Sequence, residues 1–171
     1  LAAGETFDPS PQNIDRRTVN GTLPSGLKLS YLPKRTRGQT VSATIRLRYG
    51  TLETATGKAV AADLAADMLL RGTTTRTRQQ IKDEFDRLKA QVGVRGTAEG
   101  VTVSFTTVRA NLPAVLRLAG EVLRQASFDS TEFVTLQRER LAALESQRTD
   151  PIALAQTALA RATQAYAPGH P

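Results

Sequence analysis

KAVAADLAADMLLRGT, residues Lys58 to Thr73, is the stretch on which the fold turns. Its alanines and leucines give it high helix propensity, and the small side chains let a neighbouring backbone come close. Gly72 closes it, as glycine commonly closes helices. The stretch reads as one amphipathic helix, yet Asp63 and Asp67 sit one turn apart on it. Like charges at that spacing cost a helix about 0.2–0.5 kcal/mol. Either the pair lies on a solvated face, or it stands where a related chain keeps something more reactive.

Upstream, VSATIRLRY alternates strictly. Val41, Ala43, Ile45, Leu47 and Tyr49 point one way and Ser42, Thr44, Arg46 and Arg48 the other, which predicts a strand with one buried face. LKLSYL, ended by Pro33, is a weaker strand, and KRTRGQ is a polar loop between the two. Residues 1–22, with Pro9 and Pro11 and no apolar period, read as a linker or extended arm. Gly50 to Gly57 reads as a loop.

Downstream, Thr77 caps a helix whose stripe is Ile81, Phe85, Leu88 and Val92. QVGVRG and GVTVSFTTV form a hairpin with Val101, Val103 and Phe105 on one face. Asn111 caps the next helix, with Pro113 in its first turn and Val115, Leu118 and Val122 as its stripe. Asp129, with Glu132 three residues on, opens a helix through Phe133, Leu136 and Leu144 to Gln147. Asp150-Pro151 opens a last helix with Ile152, Ala155, Leu159 and Ala162 inward. Strand pairs alternating with helix pairs predict an α+β domain over residues 23–171. Its sheet is antiparallel or mixed, with helices packed on one face.

Composition narrows the chemistry. The 171 residues suit one domain, and 40% apolar with 23% charged residues are globular values. No run approaches the ~18 apolar residues of a membrane span. There is no Met at position 1 and no basic-then-apolar leader, so the chain reads as a piece of a longer polypeptide. Zero cysteines remove disulfides, thiolate metal sites and cysteine nucleophiles together. The single histidine, His170, cannot build a His-based cluster. No phosphate-binding glycine loop and no G-x-S-x-G elbow is present. A net charge of +7 admits a basic binding module for acidic or nucleic-acid ligands. With aromatics at 5%, base stacking has little to build on, and composition argues against nucleic acid. The pairs Asp63 with Asp67 and Asp83 with Asp86 read as solvated helix faces, since two carboxylates alone make a poor metal site.

With the strand and loop before it (TIRLRYGTLET), GKAVAADLAADMLLRGT resembles the zinc-binding region of the insulinase/pitrilysin metallopeptidases. There a strand and Gly-containing turn lead into a helix bearing H-x-x-E-H, closed by a hydrophobic pair, a basic or polar residue and Gly-Thr. Met68-Leu69-Leu70-Arg71-Gly72-Thr73 matches that close, and DLAAD falls on the five motif positions. TRTRQQIKDEFDRLKAQVG resembles the family's next helix, SFDSTEFVTLQRERLAALESQRTDP a later one, and AYAPGHP a stretch with tyrosine before His-Pro. The resemblance covers residues 23 to 171 and implies the metallopeptidase fold, LuxS/mitochondrial processing peptidase-like.

The departures carry the functional expectation. The two zinc-binding histidines fall at Asp63 and Asp67 and the general-base glutamate at Ala66. The third ligand falls at Ser146 or, with a one-residue shift, at Glu145. Without the base no water is deprotonated, and without imidazoles little holds the zinc. The resemblance therefore implies an inactive peptidase domain with no metal of its own, from the second half of a long bacterial, periplasmic zinc protease. Its expected partners are a catalytic, zinc-bearing half and a peptide substrate. Its expected role is to close the peptide chamber, with Arg46 and Arg48 as candidate substrate contacts on a basic wall. A divergent enzyme using Asp63, Asp67 and Glu145 on a hard metal would need those carboxylates to converge.

Overall fold

The alternation expected over VSATIRLRY appears in the computed structural model, which describes residues 3–163, as strand β3 (Thr40–Arg48). The chain divides into two units, residues 1–41 and 42–171.

The first unit differs from the extended arm expected over residues 1–22. It holds a helix, α1 (Pro11–Arg17), and a hairpin of β1 (Val19–Thr22) and β2 (Lys28–Tyr31), with Val19 opposite Tyr31. Ser10 caps α1 and Pro11 opens it, where a missing N–H costs nothing. Arg17 donates to Glu5 Oε1 at 2.9 Å, and Lys34 Nζ stands 3.8 Å from the centre of the Phe7 ring. Caps, an ion pair and a cation–π contact hold this unit, and none of them leaves a hydrophobic period in the sequence.

In the second unit, β3 joins β4 (Gln91–Thr97) and β5 (Gly100–Val108) in the order β3-β5-β4. β4 and β5 are antiparallel, with Val94 opposite Val103. Hydroxyl contacts pair Ser42 with Thr106 (3.1 Å) and Thr44 with Ser104 (3.4 Å), so β3 also runs antiparallel to β5. A short helix, α2 (Leu52–Ala55), lies within the stretch expected as loop. The helix of the opening motif is α3 (Ala59–Met68), tightened into a 3₁₀ turn over Leu69–Arg71. After it come α4 (Arg78–Arg87), α5 (Leu112–Gln125), α6 (Ser130–Gln147) and α7 (Pro151–Thr163).

The helices cover one face of the sheet. Ala66 and Leu69 of α3, Ile81 and Phe85 of α4, Val101, Val103 and Phe105 of β5, and Val115, Leu118 and Val122 of α5 form one core. Ile81, Val103, Val115 and Val122 are fully buried. Each contributes about 1.5–3 kcal/mol relative to an exposed side chain.

Thr77 starts α4 with a complete capping box: its hydroxyl accepts from Gln80 N, and the Gln80 side chain accepts from Thr77 N. Leu88 ends the stripe of α4, because Lys89 turns the chain with φ 52° and Ala90 N returns to Phe85 O at 2.9 Å. Val92, expected on that stripe, therefore lies on β4. Asn111 precedes α5 without capping it through its side chain. Its amide, with the Thr107 hydroxyl, donates instead to Leu88 O, each at 2.9 Å, satisfying the end of α4.

Four expected apolar positions face solvent. Leu47 and Tyr49 are exposed at the end of β3, and Phe133 and Leu144 are exposed although they share a stripe of α6 with Leu136 and Arg140. On α7 the expected inward set is exposed throughout, Ile152 and Leu159 included, because no described element lies over that helix. The AYAPGHP stretch and His170 lie outside the described residues.

Candidate functional site

The helix-closing sequence explains how α3 is held. Met68 and Leu69 are buried, and Arg71 reaches α6, donating to Glu132 at 3.4 Å and to Glu139. Arg78 approaches the same two carboxylates at 3.7 and 3.8 Å. Gly72 takes φ 148°, a backbone conformation for which glycine is suited. A Cβ there would also come within 2.9 Å of Ser127 Oγ. Thr73 then donates to Glu121 of α5 at 2.9 Å, joined on the same carboxylate by Thr75 (2.9 Å) and Arg76.

Burial pushes the Glu121 carboxyl up, but the bonds from Arg76, Thr75 and Thr73 outweigh it and hold the group below its ordinary value of 4.5. The unfolded chain therefore takes up the proton first. The stability that Glu121 contributes is complete above the ordinary value and is lost as pH falls through the folded one. With this side chain only 18% exposed, Glu121→Gln is expected to lower stability at pH 7 and to flatten its decline on the acid side of pH 4.5. Urea unfolding at several pH values checks this. An acid limb with unchanged slope would place the carboxylate outside the network.

The motif positions themselves lie where α3 packs against α6. Arg140 Nε donates to Asp67 Oδ2 at 3.0 Å, and its Nη2 donates to Asp63 Oδ2 at 3.1 Å and to Asp67. The guanidinium thus bridges the two aspartates one turn apart, and the Asp67 bond foremost raises the Arg140 pKa further above its already high ordinary value. Exposure of the three side chains is 47% for Arg140, 52% for Asp63 and 29% for Asp67, a rim rather than an interior. Beside it opens a cleft of about 370 Å³ lined by Asp67, Leu70, Arg71, Leu136, Glu139 and Arg140.

Ala66 has the opposite surroundings. It is 4% exposed, and α3 passes so close to β4 that a Cβ on Gly96 would stand 2.4 Å from Ala66 Cβ and 2.6 Å from Ala62 O. Glu145 and Ser146 follow Arg140 on α6 by five and six residues, on turned-away parts of the helix, and both are exposed. They do not join Asp63 and Asp67. Among the described residues no three Asp, Glu, His or Cys side chains gather as a metal site. Zinc does not fit the motif positions: a guanidinium fills the space between the carboxylates, no imidazole is present, and a methyl group stands where a base would be needed.

Arg46 and Arg48 lie on the open face of the sheet, away from the cleft. Asp83 and Asp86 are ordinary exposed carboxylates, Asp83 accepting from Gln79 and Asp86 pairing with Lys82 at 2.9 Å. Two functional candidates were missed by pattern reading. Arg140 carried a signal, since it lies one turn beyond Leu136, the buried contact of α6. Arg95 carried another in the alternation of QVGVRGT, which sets it on the same face as Gln91 and Gly93.

Exposed ion pairs contribute little singly, but here removing the arginine also leaves two carboxylates facing each other. Arg140→Ala is expected to cost about 1 kcal/mol at low salt. In a double-mutant cycle it should couple to Asp67→Asn by about 0.5–1 kcal/mol. A coupling of zero in urea unfolding would mean that the bridge is not held in solution.

The fold that carries this site is one found in solved peptidase and protease structures. It is similar to a peptidase M16 inactive domain from Pseudomonas fluorescens (TM-score 0.67, 20% identity), covering 81% of this chain and 34% of that one. A protease from Helicobacter pylori is similar over 80% of this chain and 33% of its own (TM-score 0.62, 18% identity). The ferredoxin protease FusC, solved in complex with Arabidopsis ferredoxin, is similar over 94% of this chain and 18% of its own (TM-score 0.61, 15% identity). The chain thus spans about a third or less of the length of these proteins. No family model matches the sequence, and no curated protein matches it. Among the described residues no helix is long and apolar enough to cross a membrane.

Proposed function

We propose that the chain is a non-catalytic peptidase domain that closes the peptide chamber of a zinc protease and supports a catalytic half. The observation that carries this reading is the state of the motif helix. Its two ligand positions are carboxylates bridged by Arg140, and its base position is a methyl group sealed against Gly96. The packing of a metallopeptidase helix is kept while its chemistry is absent. Zinc in this reading belongs to the catalytic half, in the same chain or in a partner chain, and the parent protein cleaves peptides. FusC is a protease solved with a protein bound, which supports a polypeptide as the substrate class here. A periplasmic location in a bacterium belongs to the same proposal and rests on the resemblance to exported long-chain members.

Calorimetric titration of the 171-residue chain with zinc tests the reading. The expected result is no stoichiometric binding at micromolar zinc. Stoichiometric binding that disappears with Asp63→Ala or Asp67→Ala would overturn it and make the site a live one.

A further inference from the structure

We infer that the open face of the β3-β5-β4 sheet docks an extended acidic polypeptide, an assignment that rests on the peptidase-domain reading and gives its substrate a chemistry. The three strands contain no Asp or Glu, and their three cations, Arg46, Arg48 and Arg95, all lie on the face that the helices leave uncovered. Among the described residues none of the three makes an ion pair or a side-chain hydrogen bond. Arg71, Arg76 and Arg140, in contrast, are committed to carboxylates of the fold.

The registers place these cations together. Thr102 lies opposite Arg95, and the pairing of Ser42 with Thr106 and Thr44 with Ser104, carried one step on, sets Arg46 opposite Thr102. Arg46, Thr102 and Arg95 thus form one row across the sheet, with Arg48 two residues further along β3. Strand geometry puts Arg46 and Arg48 ~6.8 Å apart along the strand and Arg46 and Arg95 ~10 Å apart across it. An extended peptide presents every second side chain at that same ~6.8 Å repeat. Carboxylates at alternate positions therefore meet Arg46 and Arg48 in register, and a guanidinium can hold a carboxylate through two parallel bonds. The hydroxyls of Thr44, Thr102 and Ser104 supply donors between the charges. The face carries no aromatic side chain, so nucleic-acid bases have no surface on which to stack.

Fluorescence anisotropy with a labelled ten-residue peptide of alternating Glu and Ser tests the assignment on the full chain. Binding is expected at low salt. The triple variant Arg46→Gln/Arg48→Gln/Arg95→Gln should weaken it at least tenfold and make its salt dependence shallower. A charge-matched variant, Arg117→Gln/Arg124→Gln/Arg161→Gln, should weaken it less than threefold. Equal losses in the two triples would reduce the attraction to net charge and overturn the assignment. So would tighter, face-dependent binding of a labelled ten-nucleotide thymidine strand, which would make the face a nucleic-acid interface. Absence of peptide binding to the folded chain would also overturn it. That last result leaves the non-catalytic reading standing, since zinc titration decides the latter separately.

Discussion

Replacing Gly96 by alanine should destabilise the domain by about 3 kcal/mol, the upper end of what one misplaced methyl group costs a packed interior. Elsewhere in the chain a Gly→Ala change can gain about 0.4–1 kcal/mol by restricting the unfolded state. Here the added carbon would stand 2.4 Å from Ala66 Cβ and 2.6 Å from Ala62 O. The first atom is a side chain with no rotamer to change, and the second belongs to helix backbone. Neither can swing away, so α3 must lift from β4 and carry Ala66 and Leu69 of the core with it. Urea unfolding monitored by circular dichroism reads the effect as a lower midpoint at unchanged slope. A midpoint equal to that of the parent would show that helix and strand can separate at no cost, and the account of the base position would go with it.

The second large effect is expected from Ala66→Glu, which restores the general base in the motif resemblance. At 4% exposure, facing Gly96 and the apolar cluster, the new carboxylate would be both too large for its space and deprived of water. Overpacking and burial of a charge act together, and the loss should exceed about 4 kcal/mol, enough to abolish cooperative unfolding in a marginal domain. Desolvation raises the pKa of such a carboxyl. A group raised in the folded state costs most when ionised, so the deficit should be greatest at pH 7. It should shrink as pH falls below the folded value and the carboxyl becomes neutral. Unfolding curves of the variant and its parent at pH 7 and pH 4 check both size and direction. A variant as stable as its parent would mean that position 66 opens to solvent and that the motif could be rebuilt one residue at a time.

Much of the fold was legible because its local signals and its packing agree. VSATIRLRY has a period of two, and burial alternates with it from Val41 to Ile45 but not at Leu47 and Tyr49, which are exposed. Thr77 announced α4, and the capping box it forms with Gln80 is local in sequence and needs no tertiary partner. Asn111 looked identical to a cap, but the unmet carbonyl of Leu88 claimed its amide across 23 positions of chain. The N-terminal helix left no pattern, since its order rests on Glu5, Phe7 and Arg17 rather than on an apolar face. The candidate site divided the same way. Spacing brought out Asp63 and Asp67, but their fate depended on a side chain 73 positions beyond Asp67, which no local rule could supply.

The segment Arg71–Arg76 has a consequence for how the molecule opens. Beyond the 3₁₀ turn that ends at Arg71 it is a loop with two isolated β-bridges, in which Thr73 N bonds to Arg76 O at 2.8 Å, Thr74 N to Gln125 O at 2.9 Å and Ser127 N to Gly72 O at 3.0 Å. Together with Arg71 on α6 and Thr73 on α5, these bonds make six residues the junction of four helices, α3, α4, α5 and α6. Amide exchange follows the free energy of local opening rather than the label of the element. Breaking this loop releases the end of α3, the start of α4 and their hold on α5, so its amides open only with the domain. α7, a regular helix with its apolar residues in water, lies at the other end of that scale. In the order of unfolding, the loop is core and the last helix is periphery.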